Sequence, residues 1–250
     1  MPKVVGIIPA RYGSQRLPGK MLATILDRPM ILHVYQRAAR AASLEQVVVA
    51  TDDSRIQEAV VTSGGEALMT SPDHASGTDR VAEAARHLRL PDDAIVVNIQ
   101  GDEPLLEAEM LDSLATGLVG IEEVPMATLA RPGTDNADYR DPAVVKVVLD
   151  SRSRALYFSR TPIPAARDGS STPPYYKHLG FYAYRNSFLQ QFAELPAGRL
   201  EDLEKLEQLR ALEHGFPILV VVTHLDTISV DTAEDLARVR RVMVKKYPQE

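Results

Sequence analysis

The first apolar run and the loop behind it constrain this chain most. Val4–Ile8 is a run of apolar residues and one glycine, the pattern of a strand buried on both faces of a parallel sheet. The loop that follows contains two glycines and three cations, namely Gly13, Gly19, Arg11, Arg16 and Lys20. Glycines let backbone N–H groups approach phosphate oxygens, and Arg and Lys add charge-assisted hydrogen bonds. We therefore expect an exposed polyanion-binding loop at a sheet edge rather than an ordinary basic turn.

Two common phosphate-binding motifs do not fit this loop. A Walker loop has four residues between its first Gly and the Gly-Lys pair, and a Ser or Thr after the Lys. Here five residues separate Gly13 from Gly19, and Met21 follows Lys20. The dinucleotide fingerprint G-x-G-x-x-G is also missing from the sequence. Any magnesium ligands must therefore come from elsewhere in the chain.

The composition limits the class of protein. A length of 250 residues with 45% hydrophobic content allows one large α/β domain or two small ones. A net charge of −6 gives no basic footprint for nucleic acid. The lack of cysteine excludes disulfides and thiolate metal sites. Since the N-terminal apolar run is too short for a signal sequence and no stretch approaches membrane-span length, we expect a cytoplasmic protein that binds neither nucleic acid nor membrane.

Strand-like and helix-like segments alternate, which predicts a parallel sheet flanked by helices. The predicted strands are Val4–Ile8, Gln46–Ala50, Ala94–Gln100, Met126–Ala130 and Ile218–Val222. The predicted helices are Met30–Ala42, Ser54–Ser63, Gly77–Leu88 and Glu107–Leu118. Ser54, with Gln57 three residues later, is predicted to cap the second of these helices.

The later half of the chain has a different pattern. Further strands, mixed or antiparallel, are predicted at Val144–Leu149, Leu156–Ser159 and His178–Arg185. The loop between Arg160 and Lys177 is rich in Pro, Ser and Gly and is a candidate lid or subunit contact. Leucines spaced three apart predict one helix over Leu203–His214 with its leucines in the core, and a last helix runs from Thr232 to about Tyr247. No repeat or linker divides the chain, so we predict a single domain.

Two aspartates are candidate metal ligands. Asp102 follows an apolar strand, where ligands bind in parallel sheets, and its carboxylate suits Mg²⁺. Its alternative role is to cap the turn that follows. Asp231 could likewise cap the last helix, and on the residues alone capping is favoured there. Ser76 and Gly77 precede a helix, where hydroxyls and free N–H groups either cap the helix or bind anions and base edges.

Several short segments together resemble one enzyme family. They are the loop from Pro9 to Lys20, Ala50-Thr51-Asp52, Ser76 to Arg80, Asn98 to Pro104, Tyr157 to Arg160, His178 to Tyr182, Leu206 to Arg210 and Val230-Asp231-Thr232. In this order they resemble the cytidylyltransferases that activate acidic sugars, and most closely the 3-deoxy-manno-octulosonate cytidylyltransferase family. The resemblance covers nearly the whole chain. Ser229 and Ala233 depart from the Gly and Pro that usually flank the last segment.

The resemblance implies a Rossmann-like, mostly parallel sheet with a smaller mixed-strand part, and a role for each matched residue. Residues 1–130 would mainly bind nucleotide, 131–230 would bind sugar and form dimer contacts, and 231–250 would form the C-terminal helix. The implied nucleotide-binding residues are Ala10, Arg11, Ser14, Lys20, Ser76 and Gly77, with Arg11, Lys20 and Asp102 catalytic. The implied sugar-binding residues are Gln100, Arg160, His178, Tyr182, Glu207 and Gln208. Asp102 and Asp231 would bind Mg²⁺, and for Asp231 the resemblance outweighs the capping alternative.

The activity implied by the resemblance is transfer of CMP from CTP to 3-deoxy-manno-octulosonate (Kdo), with release of pyrophosphate. It also implies a homodimer and a role in supplying activated sugar for lipopolysaccharide. Two alternatives remain open from the sequence. One is a cytidylyltransferase for another acidic sugar, either sialic acid or the 8-amino analogue of Kdo. The other is a nucleotide-binding module without turnover.

Overall fold

The computed structural model describes residues 2–14, 16–167, 169 and 172–247. Gln15 of the predicted polyanion loop and Asp168, Ser170 and Ser171 of the Arg160–Lys177 loop lie outside the described residues, as do Met1 and residues 248–250. The strands are β1 Val4–Ala10, β2 Thr24–Ile25, β3 Arg28–Pro29, β4 Gln46–Thr51, β5 Glu66–Met69, β6 Ile95–Asn98, β7 Met126–Gly133, β8 Lys146–Leu149, β9 Ala155–Ser159, β10 Tyr175–Arg185 and β11 Ile218–Val222. The helices are α1 Met30–Ala38, α2 Ser54–Thr62, α3 Gly77–His87, α4 Ala108–Leu118, α5 Asn136–Arg140, α6 Asn186–Glu194, α7 Arg199–Glu204, α8 Leu209–Glu213 and α9 Ala233–Lys246.

A nine-stranded sheet organises the described chain. Its main path runs β11-β7-β10-β6-β1-β4-β5, and β8 and β9 join it through β10. β1 pairs in parallel with β4 and β6, and β11 pairs in parallel with β7. β10 runs antiparallel between β6 and β7, and β8 and β9 are also antiparallel. The predicted α/β class, with a mostly parallel sheet and a smaller mixed part, is confirmed. Because β10 lies between β6 and β7, the two predicted subregions share one sheet.

Helices cover both faces of this sheet, which explains the apolar runs. Along β6, Ile95 and Val97 join a core cluster with α1, α4 and α9, whereas Val96 joins a second cluster with α3 and α6. A strand that is buried on both sides needs apolar residues at every position rather than at alternate ones. None of the described helices combines the length and apolarity needed to cross a bilayer.

Three local predictions about helices were wrong. The first predicted helix ends at Ala38 instead of Ala42. The cap of α2 is Asp53, not Ser54, and its carboxylate accepts a hydrogen bond from the Arg55 backbone N–H. Asp53 and Ser54 both have side chains that can cap a helix, so the local sequence alone did not determine which of the two is the cap.

The predicted single helix over Leu203–His214 is broken in two. α7 ends at Glu204, Lys205 adopts a left-handed conformation with φ of 52°, and α8 begins at Leu209. Leu203 is 69% exposed, so its predicted place in the core was also wrong, although Leu206 and Leu209 are buried. The break places Glu207 and Gln208 in the non-helical turn between α7 and α8.

Candidate active site

The predicted polyanion loop follows the carboxyl end of β1 and is supported by side chains that pack against Tyr12. Gly19 has φ of 69°, and a Cβ there would lie 3.1 Å from the Tyr12 hydroxyl oxygen, so both conformation and space favour glycine. The Arg55 guanidinium stacks 3.6 Å from the centroid of the Tyr12 ring and is held by two hydrogen bonds to Asp53. The start of α2 therefore buttresses the loop through Tyr12.

A cavity of about 510 Å³ opens above this loop. It brings together residues that the sequence analysis predicted for nucleotide, sugar and metal, namely Ala10, Arg11, Ser14, Lys20, Ser76, Gly77, Gln100, Asp102 and Asp231. β1 and β6 end close together here, since a Cβ on Gly101 would lie 2.9 Å from the Pro9 carbonyl oxygen. Arg11 is exposed and makes no hydrogen bond or ion pair within the described residues. Its guanidinium is therefore available to a ligand.

Lys20 is more enclosed than predicted. We expected the whole loop to be exposed, but Lys20 is only 8% exposed. Its Nζ lies 2.6 Å from Oδ2 of Asp102, 3.2 Å from Oδ1 of Asp231 and 3.0 Å from the Val230 carbonyl oxygen. Arg16 adds a second cation 2.9 Å from the same oxygen of Asp231. Lys20 therefore uses its three N–H donors to join the segment after β6 to the segment before α9.

The two aspartates converge from distant parts of the chain, as the sequence predicted. Asp231 does not cap the last helix, because Thr232 does so in a capping box with Asp235. Its carboxylate is consequently available to the cavity. Among the described residues no group of three or more acidic, His or Cys side chains forms a metal cluster. Two carboxylates that already approach one cation do fit Mg²⁺, which often takes only one or two carboxylates and completes its shell with phosphate and water oxygens.

A second set of polar side chains lies on the sheet face covered by α3 and α6. This set, here called the inner polar group, consists of Asn98, Gln100, Thr128, His178 and Tyr182. A bulge between His178 and Tyr182 shifts the register of β10, and Gly180 within it has φ of 71°. The bulge turns the Gly180 carbonyl to accept a hydrogen bond from Gln100 Nε2 at 3.1 Å. Bulges often adjust side chains in this way beside active sites.

His178 and Tyr182 point to the same side, as predicted from their spacing. Their ring centroids are 5.6 Å apart, and the Phe158 ring lies 4.9 Å from His178. Burial lowers the pKa of His178 to about 3, so the imidazole is neutral at neutral pH. Burial and the nearby Glu207 carboxylate raise the pKa of Tyr182, so its phenol stays protonated.

Glu207 joins the inner polar group to the cavity. Thr78 Oγ1 donates to Glu207 Oε2 at 2.5 Å, and Thr78 directly follows Ser76 and Gly77, which line the cavity. Burial raises the pKa of the Glu207 carboxyl. Three buried polar atoms have no partner within the described residues here, namely Glu207 Oε1, Gln208 Nε2 and Asn98 Oδ1. Unpaired buried polar atoms are costly, so they indicate a polar ligand.

Arg160 is not brought to the cavity. Its guanidinium donates to the backbone carbonyls of Glu204 at 2.7 Å, Pro142 at 3.1 Å and Lys205 at 3.3 Å. A ligand carboxylate would have to displace these carbonyls, so direct binding to Arg160 stays a prediction. In this arrangement Arg160 ties down the turn that leads to Glu207.

The sequence analysis missed several residues of this region. Asn98 and Thr128 are single polar residues within otherwise apolar strands, and that contrast was the available signal. His74 and Arg80 also line the cavity. Arg80 ends the matched segment Ser76 to Arg80 but was given no role, and no pattern marked His74. The Arg80 guanidinium donates hydrogen bonds to Asp52 at 2.7 Å and to Thr70 at 2.6 Å. These partners are 28 and 10 residues away in the sequence, so no local pattern indicates the contacts.

Two curated relatives are similar to this chain over nearly its whole length. The chain is 60% identical to a 3-deoxy-manno-octulosonate cytidylyltransferase from Syntrophobacter fumaroxidans, over 97% of this chain and 98% of the relative. It is 54% identical to an 8-amino-3,8-dideoxy-manno-octulosonate cytidylyltransferase from Shewanella sediminis, over 92% and 94% of the two chains.

A solved structure matches the fold almost throughout. CMP:2-keto-3-deoxy-manno-octonic acid synthetase, complexed with CTP, superposes with a TM-score of 0.92 at 44% identity and covers 98% of this chain and 99% of its own. A 4-diphosphocytidyl-2C-methyl-D-erythritol synthase, at 13% identity and a TM-score of 0.65 over 97% of this chain and 99% of its own, shares the fold alone. The family model described as cytidylyltransferase matches residues 5–224. The chain therefore belongs to the cytidylyltransferase family.

Proposed function

We propose that this enzyme transfers CMP from CTP to Kdo and releases pyrophosphate. The 60% identity to a relative named for this sugar supports the choice of substrate. The observation that carries the proposal is the continuity between two sites. A cavity with a cationic loop and two carboxylates adjoins the inner polar group, and Asn98 Oδ1, Glu207 Oε1 and Gln208 Nε2 are buried in this region without partners among the described residues. The first suits a nucleoside triphosphate, and the second suits a polyhydroxylated sugar.

In the proposed reaction the anomeric hydroxyl of the sugar attacks the α-phosphorus of CTP. The new P–O bond forms in line with the bond that breaks to pyrophosphate, and the hydroxyl proton is lost. Positioning and charge neutralisation supply most of the catalysis. Arg11, which has no partner within the described residues, and Lys20, at the end of the loop, neutralise the triphosphate and the developing charge on pyrophosphate. Ser76 and Gly77, at the start of α3, bind the nucleotide.

Asp102 and Asp231 would hold Mg²⁺. When bound, the ion would neutralise phosphate charge and favour ionisation of the attacking hydroxyl. On the family resemblance we further propose that the enzyme works as a homodimer in the cytoplasm and supplies activated sugar for lipopolysaccharide.

A pyrophosphate-release assay with CTP and a panel of acidic sugars tests the proposal. Kdo, its 8-amino-3,8-dideoxy analogue and sialic acid are compared at equal concentration, and the CMP-sugar is identified by mass. We expect kcat/KM to be highest with Kdo. The 8-amino sugar is the second candidate, because relatives 53–54% identical carry that name. Preference for the 8-amino sugar or sialic acid would change the substrate, and no pyrophosphate with any of them would indicate a binding module.

A further inference from the structure

Thr128 occupies a central place in the inner polar group. It lies in the middle of β7 and is fully buried. Its Oγ1 is 2.6 Å from the carbonyl oxygen of Phe181 and 2.9 Å from Nε2 of His178. Both partners belong to the bulged part of β10, so one hydroxyl contacts two atoms of the neighbouring strand. No other contact of Thr128 Oγ1 is found within the described residues.

The chemistry of the hydroxyl fixes where its proton lies. A threonine hydroxyl has one proton to donate, and a carbonyl oxygen can only accept. At 2.6 Å, two oxygens without a proton between them would repel each other, so the proton points at Phe181. Thr128 must then accept a hydrogen bond from His178, which requires a proton on Nε2.

The neutral imidazole carries only one proton. Since Nε2 holds it, Nδ1 is left with a lone pair and acts only as an acceptor. Nδ1 makes no hydrogen bond to any described residue, and part of the His178 side chain remains accessible. The rings of Phe158 and Tyr182 hold the imidazole plane in place.

We infer that Thr128 is a positioning residue that fixes His178 in its Nε2–H tautomer, so that Nδ1 accepts a hydrogen bond from a hydroxyl of the sugar. The identity of the donor rests on the proposed function, whereas the tautomer does not. The opposite tautomer would turn an N–H toward the substrate, and a sugar hydroxyl could then only accept from it. Thr128 therefore sets the direction of this hydrogen bond without touching the substrate.

The tautomer can be read directly in the free protein. In ¹⁵N-histidine-labelled enzyme, two-bond ¹H–¹⁵N correlations distinguish Nε2–H from Nδ1–H, and the sequence contains six histidines. The His178→Gln variant assigns the relevant signals by their loss. We expect a single Nε2–H pattern for His178. An Nδ1–H pattern in the wild-type protein would overturn the inference without any variant.

Two complementary variants test the role of Thr128. Thr128→Val keeps the shape and removes the hydroxyl, whereas Thr128→Ser keeps the hydroxyl. We expect the valine variant to lose the single tautomer and to raise the KM for the sugar by about three- to tenfold, the value of one hydrogen bond, with the KM for CTP unchanged. The serine variant should restore the wild-type spectrum and sugar KM.

Other results would count against the inference. A valine variant with an unchanged tautomer and an unchanged sugar KM would show that Thr128 does not fix His178. If the valine variant does not fold, Thr128→Ala, which removes the hydroxyl without adding an apolar contact surface, takes its place under the same criteria. An Nε2–H tautomer in an enzyme that turns over no acidic sugar would contradict the proposed function but leave the role of Thr128 standing.

Discussion

Lys20 Nζ lies 2.6 Å from Oδ2 of Asp102, although 82 residues separate the two in the sequence. The same ammonium group contacts Asp231 at 3.2 Å. Lys20 and Arg16, both from the loop after β1, therefore balance the charge of the two carboxylates proposed to bind magnesium. Repulsion between these carboxylates is relieved in the free protein, and the arrangement is formed before any ligand binds.

Lys20→Ala should impair both nucleotide use and stability. Loss of a charge-assisted contact of roughly 1.5–3 kcal/mol would lower kcat/KM for CTP by about 10- to 150-fold. Because Lys20 is buried and pairs with two carboxylates, thermal unfolding should also occur at a lower temperature. Arg11→Ala is the matched comparison, since Arg11 is exposed and pairs with none of the described residues, and it should lower activity without changing the melting temperature. Wild-type kcat/KM in Lys20→Ala would exclude this loop as the triphosphate site.

Asp102→Asn should remove most activity while the fold stays intact. Asparagine keeps the size of the side chain but loses the charge that Mg²⁺ requires. We also expect EDTA to abolish wild-type activity and Mg²⁺ to restore it. Asp150→Asn is the control, since that carboxylate also pairs with a cation, Arg154 at 2.9 Å, but lies outside the cavity.

Two different results would contradict all or part of the hypothesis that Asp102 and Asp231 bind Mg²⁺. Full activity in EDTA would contradict it altogether. If Asp231→Asn alone left Mg²⁺ dependence unchanged, Asp102 would remain the ligand and Asp231 would only pair with Lys20 and Arg16. Asp231 could not then be assigned to helix capping, because Thr232 caps α9.

Glu207→Gln should make the protein more stable and less active. Burial raises the pKa of this carboxyl above 4.5, so folding favours its protonated form. The stabilisation from that form is complete below pH 4.5 and is lost as the pH rises through the raised pKa. The gain in melting temperature of the variant over wild type should therefore be larger at pH 8 than at pH 5. The exposed Glu66→Gln serves as a control, and an equal gain at both pH values would contradict the burial of a charge here.

Arg55→Ala should weaken CTP binding although Arg55 is not among the residues of the 510 Å³ cavity. Its guanidinium stacks on Tyr12, which lies against Gly19, and an exposed cation–π contact contributes about 0.5–1 kcal/mol. We expect the KM for CTP to rise about two- to fivefold, which is the fold-change that corresponds to this contact energy, with little change in kcat or in the KM for the sugar. Arg86→Ala, on the exposed face of α3, should leave all three constants unchanged. Equal changes in both KM values would show a general loss of structure instead.

Much of the fold could be predicted because its signals are local. Strands β1, β4, β6, β7 and β11 are apolar runs whose two faces are both buried, and each was placed within a few residues. The convergence of Asp102 with the loop after β1 followed from the rule that parallel strands end at one edge. The Thr232-to-Asp235 capping box was also visible in the sequence and would have freed Asp231 from the capping role.

The remaining features depend on contacts between distant residues. The leucine spacing over Leu203–His214 is helical, but the break is accompanied by contacts from distant segments, namely Thr78 with Glu207 and Arg160 with the Glu204 and Lys205 carbonyls. The bulge at Gly180 is similarly tied to Gln100, two residues after β6, and to Thr128 on β7. Arg160 follows a strand, but its three backbone acceptors come from two other segments. None of these interactions leaves a periodic signal in the chain.

Arg160→Ala should raise the KM for the sugar far more than the KM for CTP, and two explanations predict this result. Either Arg160 binds the sugar carboxylate, or it holds the turn that carries Glu207 through the Glu204 and Lys205 carbonyls. A double cycle with Kdo and its methyl ester separates them, since the ester lacks the charge. Direct binding predicts that wild type discriminates between the two sugars and that the variant does not, a coupling of about 1.5–3 kcal/mol for a charged hydrogen bond. The contacts of this structure favour the second explanation, so we expect equal losses with acid and ester and faster hydrogen exchange in the turn between α7 and α8. A coupling energy of about 1.5–3 kcal/mol would instead indicate that Arg160 binds the sugar carboxylate directly.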